Sequence, residues 1–302
     1  MKVALRELKL KDRGVFEKHL RFSQHELSVY AFENIYIWRG LFEIRWALIA
    51  GALCVFFKDA IGCFLYLAPL CRKMPQGGLQ KIFSVMDMYN KNPAFSHIEN
   101  IEEADLAAFP PDTYRIKAKG VEFVCKRTDL AGLKGDAFKS KRWAANYFTS
   151  HTDRIEYVTY TDALKAACLR LYEEWATGRR QDHTDPLYRA MLEDNYSALQ
   201  VLLKDFRHFK FLGRVVKIGG RVQAFTFAFP LTQKTLCVAY EIANLDYKGL
   251  AQFMFRQLCR ELSEYEYINI MDDSGLESLR QVKLSYRPLR CAPSFIVTRY
   301  HG

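Results

Sequence analysis

KTLCVAYEIANLDYKGLAQFMFRQLCREL, residues 234–262, passes through three regimes in one run. Leu236, Cys237, Val238, Tyr240 and Ile242 make an apolar, strand-forming opening. The stretch Glu241 to Gly249 then turns polar and ends on glycine. From Gly249 to Leu262 the apolar residues Leu250, Phe253, Met254, Leu258 and Leu262 recur at helical spacing, which predicts an amphipathic helix. Gly249 and Ala251 leave little side chain over its first turn. The unpaired amides and helix dipole at such a start favour a phosphate or a developing oxyanion. The same residues also suit a plain glycine turn with Asp246 near the cap and no ligand.

Working backward, KFLGRVVKI (210–218) and RVQAFTFAFP (221–230) flank Gly219 and Gly220 and read as a hairpin. The first half has the same layout. RWALIAGALCVFFKDAIGCFLYLAP (45–69) reads as three antiparallel strands, broken at Ala50-Gly51 and at Lys58-Asp59. A helix from Leu79 to Tyr89 follows Gly77-Gly78. IAGALCVFF and IGGRVQAFTF align Gly51 with Gly220, as an internal duplication would. The fold class is therefore α+β: two similar domains, each a mixed, mostly antiparallel sheet flanked by helices. The expected division is 1–130, a basic connector helix within 131–150, and 151–302 with the working groove. Residues 5–21 read as one helix, 178–186 (GRRQDHTDP) as a polar loop, and the strand through Phe295 to Thr298 as the end of the second domain.

With 302 residues, 50% of them hydrophobic and 26% charged, the chain has ordinary globular composition. Its net charge of +10 favours anionic partners: nucleic acid, a phosphate-bearing cofactor or an anionic membrane surface. The eight cysteines form no C-x-x-C pair, and several lie in apolar runs, so they read as reduced thiols. The seven histidines form no ligand cluster, which argues against a metal site. The opening MKVALRELKLKDRGVFEKHL is charged and unlike a signal peptide. The most apolar stretch, Ala47 to Phe57, is interrupted by Gly51 and falls short of the roughly 20 residues that span a bilayer. The expected location is cytoplasmic, with no transmembrane segment.

Two further blocks carry chemistry. In Asn269 to Pro288, NIMDDSGLESLRQVKLSYRP, Asp272 and Asp273 follow a strand. Arg280 and Lys283 are three apart and share a helix face, suited to a phosphate or carboxylate or to ordinary ion pairs. In the connector, Lys139, Lys141 and Arg142 lie beside Trp143, Tyr147 and Phe148. Cations beside aromatic rings suit a nucleic-acid backbone and its bases, or a helix with rings inward and charges outward.

The strand, loop and helix of 234–262 resemble the GNAT acyltransferase fold. There the phosphate-cradling loop reads Arg/Gln-x-x-Gly-x-Gly/Ala; here it reads Asp246-x-x-Gly249-x-Ala251, and a carboxylate at that place repels a CoA pyrophosphate. VYAFENIYIWR (29–39), KRTDLAGLKGDAFKSKRWAANYF (126–148), EIANLDYKG (241–249) and DDSGLESLRQVKLSYRP (272–288) together resemble the tandem GNAT proteins related to the C-terminal domain of bacterial phosphatidylglycerol lysyltransferase. The resemblance spans nearly the whole chain and is most specific in its last block.

That resemblance implies two tandem GNAT-like domains and an acyltransferase. The donor is an aminoacyl-tRNA, and the acceptor a lipid head group or a soluble amine or hydroxyl. It implies a base, or a holder of the donor's ammonium, among Glu241, Asp246 and Asp272. Substrate contacts are expected from Asn244, Gly249, Ala251, Asn269, Arg280, Lys283 and Tyr286, and tRNA contacts from Lys139, Lys141 and Arg142. No cofactor is firmly implied. The alternatives are an acyl-CoA-dependent N-acyltransferase and a non-catalytic module that binds RNA or another anion.

Overall fold

The computed structural model describes residues 3–182 and 185–300. In chain order the elements are β1 (Arg6–Glu7), α1 (Arg13–Leu20), α2 (Phe32–Ile37), β2 (Glu43–Ile49), β3 (Ala52–Lys58), β4 (Cys63–Leu65), α3 (Gly78–Asp87), β5 (His97–Glu102) and β6 (Tyr114–Lys126). Next come α4 (Arg127–Gly132), α5 (Lys139–Ser150), β7 (Ile155–Thr159), α6 (Lys165–Asp182), α7 (Pro186–Lys204), β8 (Leu212–Ile218), β9 (Arg221–Pro230), β10 (Thr235–Ala243), α8 (Leu250–Glu261), β11 (Tyr267–Asn269), α9 (Glu277–Leu284) and β12 (Arg290–Arg299).

Two compact units result: residues 1–122 with 292–302, and residues 123–291. These limits differ from 130, 150 and 302. The chain leaves the first unit within β6 and returns to it within β12. The final strand, expected in the second domain, instead pairs antiparallel with β5, Phe295 opposite Ile101. Local pattern identifies such a strand but not its partner, because pairing is set by contacts distant in sequence. The connector helix α5 is no separate element. Its Ala145 and Phe148 belong to a core cluster with Leu250, Phe253 and Met254 of α8.

In the first unit the strand order is β1-β2-β3-β4-β5-β12. Phe16 of α1 meets Phe32 and Trp46 edge-on, with ring centroids 5.5 and 5.9 Å away. α3 buries Leu79, Ile82, Phe83 and Met86. Residues 5–21 are not one helix: α1 begins at Arg13, after β1 and a short 3-10 turn.

In the second unit the order is β6-β11-β10-β9-β8-β7. The duplication is visible in the architecture. In each unit a hairpin leads to a third strand, a helix and then a strand parallel to the third: β4 with β5 (Leu65 opposite Ile98) and β10 with β11 (Leu236 opposite Ile268). Both hairpins use two-residue turns with positive φ at each position, Ala50-Gly51 (52° and 82°) and Gly219-Gly220 (56° and 80°). That conformation matches the right-handed twist of the flanking strands, and glycine adopts it without strain. The expected loop at 178–186 is largely helical, because α6 continues through Asp182; residues 183 and 184 lie outside the described residues.

Seven of the eight cysteines are buried or half-buried, all eight are free thiols, and Cys291 is exposed. Among the described residues no helix is long and apolar enough to cross a membrane, and no group of His, Cys, Asp and Glu side chains is placed to hold a metal ion.

Candidate functional site

The site is set by a bulge in β10. Val238 pairs with Ala228 and Tyr240 with Phe227 on β9, so Ala239 is an extra residue. Before it, Leu236 and Val238 pack with Phe255 and Leu258 of α8. After it, Ala243 packs with Leu250 and Met254 of the same helix. Tyr240 points the other way, and its hydroxyl donates to the Asn195 carbonyl on α7 at 2.9 Å. Glu241 therefore shares the α8 face with Val238, whereas strict alternation would have sent it to the α7 side. The buried Thr226 hydroxyl donates to the Tyr240 carbonyl at 2.8 Å and satisfies it beside the irregularity.

Glu241 lies within the field of charged side chains from two other elements. Burial pushes its carboxyl up to about 8, while the charges of Lys141 (α5) and Lys283 (α9) pull it down. Burial also lowers Lys141, against the pull of Glu241. Both members of the pair are thus driven toward their neutral forms. The Lys141 ammonium sits 4.3 Å from the centroid of the Tyr286 ring. Tyr286 is buried, meets Phe255 edge-on at 5.0 Å and shares a hydrogen bond with Gln252 of α8. Its phenol is raised, first by burial and then by Glu241. Such a carboxyl takes and returns a proton near neutral pH, beside a cation that can neutralise developing negative charge. Lys141→Gln is expected to raise the Glu241 carboxyl above its present value of about 8, because it removes the first charge that lowers it. A carboxyl NMR titration checks this, and an unchanged or lower midpoint refutes it.

The loop after β10 is held by its own side chains. Asn244 Oδ1 accepts the Asp246 amide at 3.0 Å, and Asn244 Nδ2 donates to Gln223 at 2.9 Å. Asp246 is exposed at the surface of the loop. Gly249 has φ of 87°, and a Cβ there would lie 2.0 Å from the Ala144 carbonyl oxygen of α5. The need for glycine at 249, which the sequence left open between a ligand's approach and a plain turn, is thus set by α5 crossing at backbone distance. Ala251 is half-buried and packs against the cluster of α5 and α8.

The block 269–288 divides. Asn269 is fully buried on β11 and accepts the Met271 amide at 2.7 Å. Asp272 is half-buried, with the Ser274 hydroxyl 3.5 Å away. Arg280 and Lys283 do share a side, but they tie α9 to the preceding loop. Arg280 lies 3.8 Å from Asp273, and Lys283 donates to the Ile270 carbonyl. Of the three carboxylates named from sequence, Glu241 alone combines two nearby ammonium groups with a raised pKa; it is half-buried, as Asp272 is.

The connector residues also separate. Arg142 donates to the carbonyls of Leu133 and Gly135, the latter at 2.9 Å, and Lys141 acts on Glu241 through its charge; Lys139 is exposed. Phe148 is core. Trp143, Tyr147 and His151 form a ladder along α5, with centroids 5.1 and 4.0 Å apart and interplanar angles of 30° and 15°. Trp143 is 51% exposed. The Lys248 ammonium lies 4.8 Å from the Trp143 ring and 5.4 Å from Tyr147, so it sits beside both rings, not over the outer face of Trp143. Gln252 and Lys248 were not singled out from sequence. Their signal was only position, four residues apart at the start of α8.

The whole architecture has solved counterparts. A conserved protein of unknown function from Bacteroides thetaiotaomicron shares 24% identity at a TM-score of 0.87, over 99% of this chain and 100% of that one. L-PGS from Bacillus licheniformis shares 17% at 0.63, over 95% and 92%. A tandem GNAT protein from the clavulanic acid biosynthesis pathway shares 8% at 0.50, over 99% of each chain. These likenesses show a tandem GNAT fold. No curated protein matches the chain. The sequence itself matches the family described as phosphatidylglycerol lysyltransferase, C-terminal, over residues 20–298, and with a match of that extent the chain belongs to this family.

Proposed function

We propose that the chain is an aminoacyltransferase that takes an aminoacyl group from aminoacyl-tRNA and passes it to an amine or hydroxyl acceptor on a lipid or a soluble molecule. The observation that carries this reading is Glu241, a carboxyl raised to about 8 on the α8 face of β10 beside Lys141 and Tyr286. An aminoacyl ester is already activated, so the protein must mainly align the nucleophile and manage one proton. The acceptor's oxygen or nitrogen forms the new bond to the ester carbonyl carbon as Glu241 takes its proton. The carbonyl becomes an oxyanion, and Lys141 supplies positive charge to it. The ester C–O bond then breaks, and the proton passes from Glu241 to the departing ribose oxygen. The ladder of Trp143, Tyr147 and His151, with Lys248 and Lys139, offers rings and cations to RNA.

The test is direct. The purified protein is incubated with tRNAs carrying labelled amino acids, in the presence of phosphatidylglycerol vesicles or soluble amines. Label is expected to move from tRNA to one acceptor. No transfer to either acceptor, with no shift of charged tRNA in a low-salt gel, ends the reading.

A further inference from the structure

Three guanidinium groups gather at one helix end. The last carbonyls of α4 lack partners within the helix, as at any helix C-terminus, and the chain then turns left-handed at Leu133. Arg256 of α8 donates Nε to Ala131 O at 3.2 Å and Nη2 to Gly132 O at 3.3 Å. Arg260 donates Nε to the same Ala131 O at 3.2 Å. Arg142 of α5 donates to Leu133 O and, at 2.9 Å, to Gly135 O. Among the described residues none of the three forms an ion pair, and all their other polar contacts are neutral, such as Arg256 to Asn146 Oδ1 at 3.1 Å. A helix C-terminus offers only about half a unit of negative charge. Three cations around it therefore leave most of their charge uncompensated. Arg256 is accordingly held below the usual guanidinium range, by burial first and then by Arg260 and Arg142.

Of the three, Arg260 reaches open space. Arg260 borders a groove of about 440 Å³ between β7, β8 and α8. The groove's carboxylate is already taken: Glu261 receives Arg214 Nε at 2.8 Å and the Tyr157 hydroxyl at 3.1 Å. It thus does not offset the charge of Arg260. Arranging three like charges costs stability unless something neutralises them, and each guanidinium keeps N–H donors beyond those used on the carbonyls.

We infer that Arg142, Arg256 and Arg260 form a phosphate-binding site at the C-terminal end of α4, reached from the groove beside Arg260. The ligand is a phosphate group, free or carried on a small molecule, held by charge-assisted hydrogen bonds from the unused guanidinium donors. The inference rests on the arginines and the groove, not on the transferase reading or on Glu241, so either can fail alone.

The probe is inorganic pyrophosphate, titrated into the full chain by calorimetry and thermal melting at ionic strength held constant with chloride. Wild type is expected to bind saturably and to melt higher when bound. Arg260→Gln is expected to weaken binding about ten- to hundredfold. In phosphate-free, low-salt buffer the same variant is expected to melt at or above wild type, because one of three like charges is gone. Lys91→Gln, an exposed cation of the first unit, should bind as wild type does. Arg256→Gln loses several carbonyl contacts and can fail to fold; Arg260, exposed and with one such contact, keeps the test decisive. Absence of saturable binding, or wild-type affinity in Arg260→Gln, overturns the inference. sn-Glycerol 3-phosphate and adenosine 5′-monophosphate then identify the carrier: tighter binding of one names it, and no gain over pyrophosphate assigns a bare phosphate site.

Discussion

Glu241→Gln is expected to reduce aminoacyl transfer by about 10²–10⁴-fold, the usual contribution of a positioned proton acceptor. The amide keeps the size and place of the carboxyl and loses only the proton chemistry. In wild type the rate at low substrate should climb with pH and level off above about 8, where the carboxylate form dominates. In the variant that limb should vanish. The stability consequence runs opposite. The folded carboxyl titrates near 8, above its ordinary value of 4.5, so its contribution is full below about 4.5 and is lost as pH rises through about 8. Glu241→Gln removes that dependence. At pH 9 it should be more stable than wild type, by on the order of 2–4 kcal/mol once partial solvent access is allowed for. Rates and denaturant melts at pH 6 and pH 9 check both halves. A loss of less than threefold in transfer removes Glu241 from the chemistry.

Gly249→Ala is expected to be the most damaging small substitution in the second unit. The new Cβ would meet Ala144 O at 2.0 Å, Ala144 C at 2.7 Å and Phe148 Cβ at 3.3 Å. Two of these atoms are helix backbone and can move only if α5 moves. The residue must also hold φ near 87°, which alone costs a side chain roughly 1–2 kcal/mol. A total loss of about 3–5 kcal/mol, and a drop in Tm of roughly 10 °C or more, is expected by calorimetry. Gly275→Ala is the control. It has a similar φ of 73° but nothing within 4 Å of its Cβ, so it should lose only the strain cost. If the two variants melt together, α5 does not fix the glycine at 249.

Much of the fold was legible because its signals are local. The glycine-containing turns Ala50-Gly51 and Gly219-Gly220, the helical spacing of Leu250 to Leu262 and the block 272–288 each declare themselves within a short run. The return of β12 to the first unit was not legible, since a strand's pattern does not name its partner. The site was legible in part. Glu241, Lys141, Lys283 and Tyr286 were all singled out, yet from different segments and for different tasks. Only folding places Lys141 beside Glu241 and turns Arg142 onto the carbonyls of α4. Choosing among Glu241, Asp246 and Asp272 needed the neighbours that folding brings to each, which charge type does not encode. The cluster of Arg142, Arg256 and Arg260 was invisible for the same reason.

The extra residue at Ala239 makes the chemistry of β10 a matter of counting. Phe229, Ala228 and Phe227 on the neighbouring strand fix the frame, and the bulge takes up one residue of slack without turning the carboxylate to the other layer. A gene that lost this codon would still encode every functional side chain. Its product would pair Val238, Tyr240 and Glu241 with Ala228, Phe227 and Thr226 in an unbroken ladder, and Glu241 would stay on the α8 face. Loss of Ala239 is therefore expected to leave the direction of Glu241 unchanged and to straighten β10 locally.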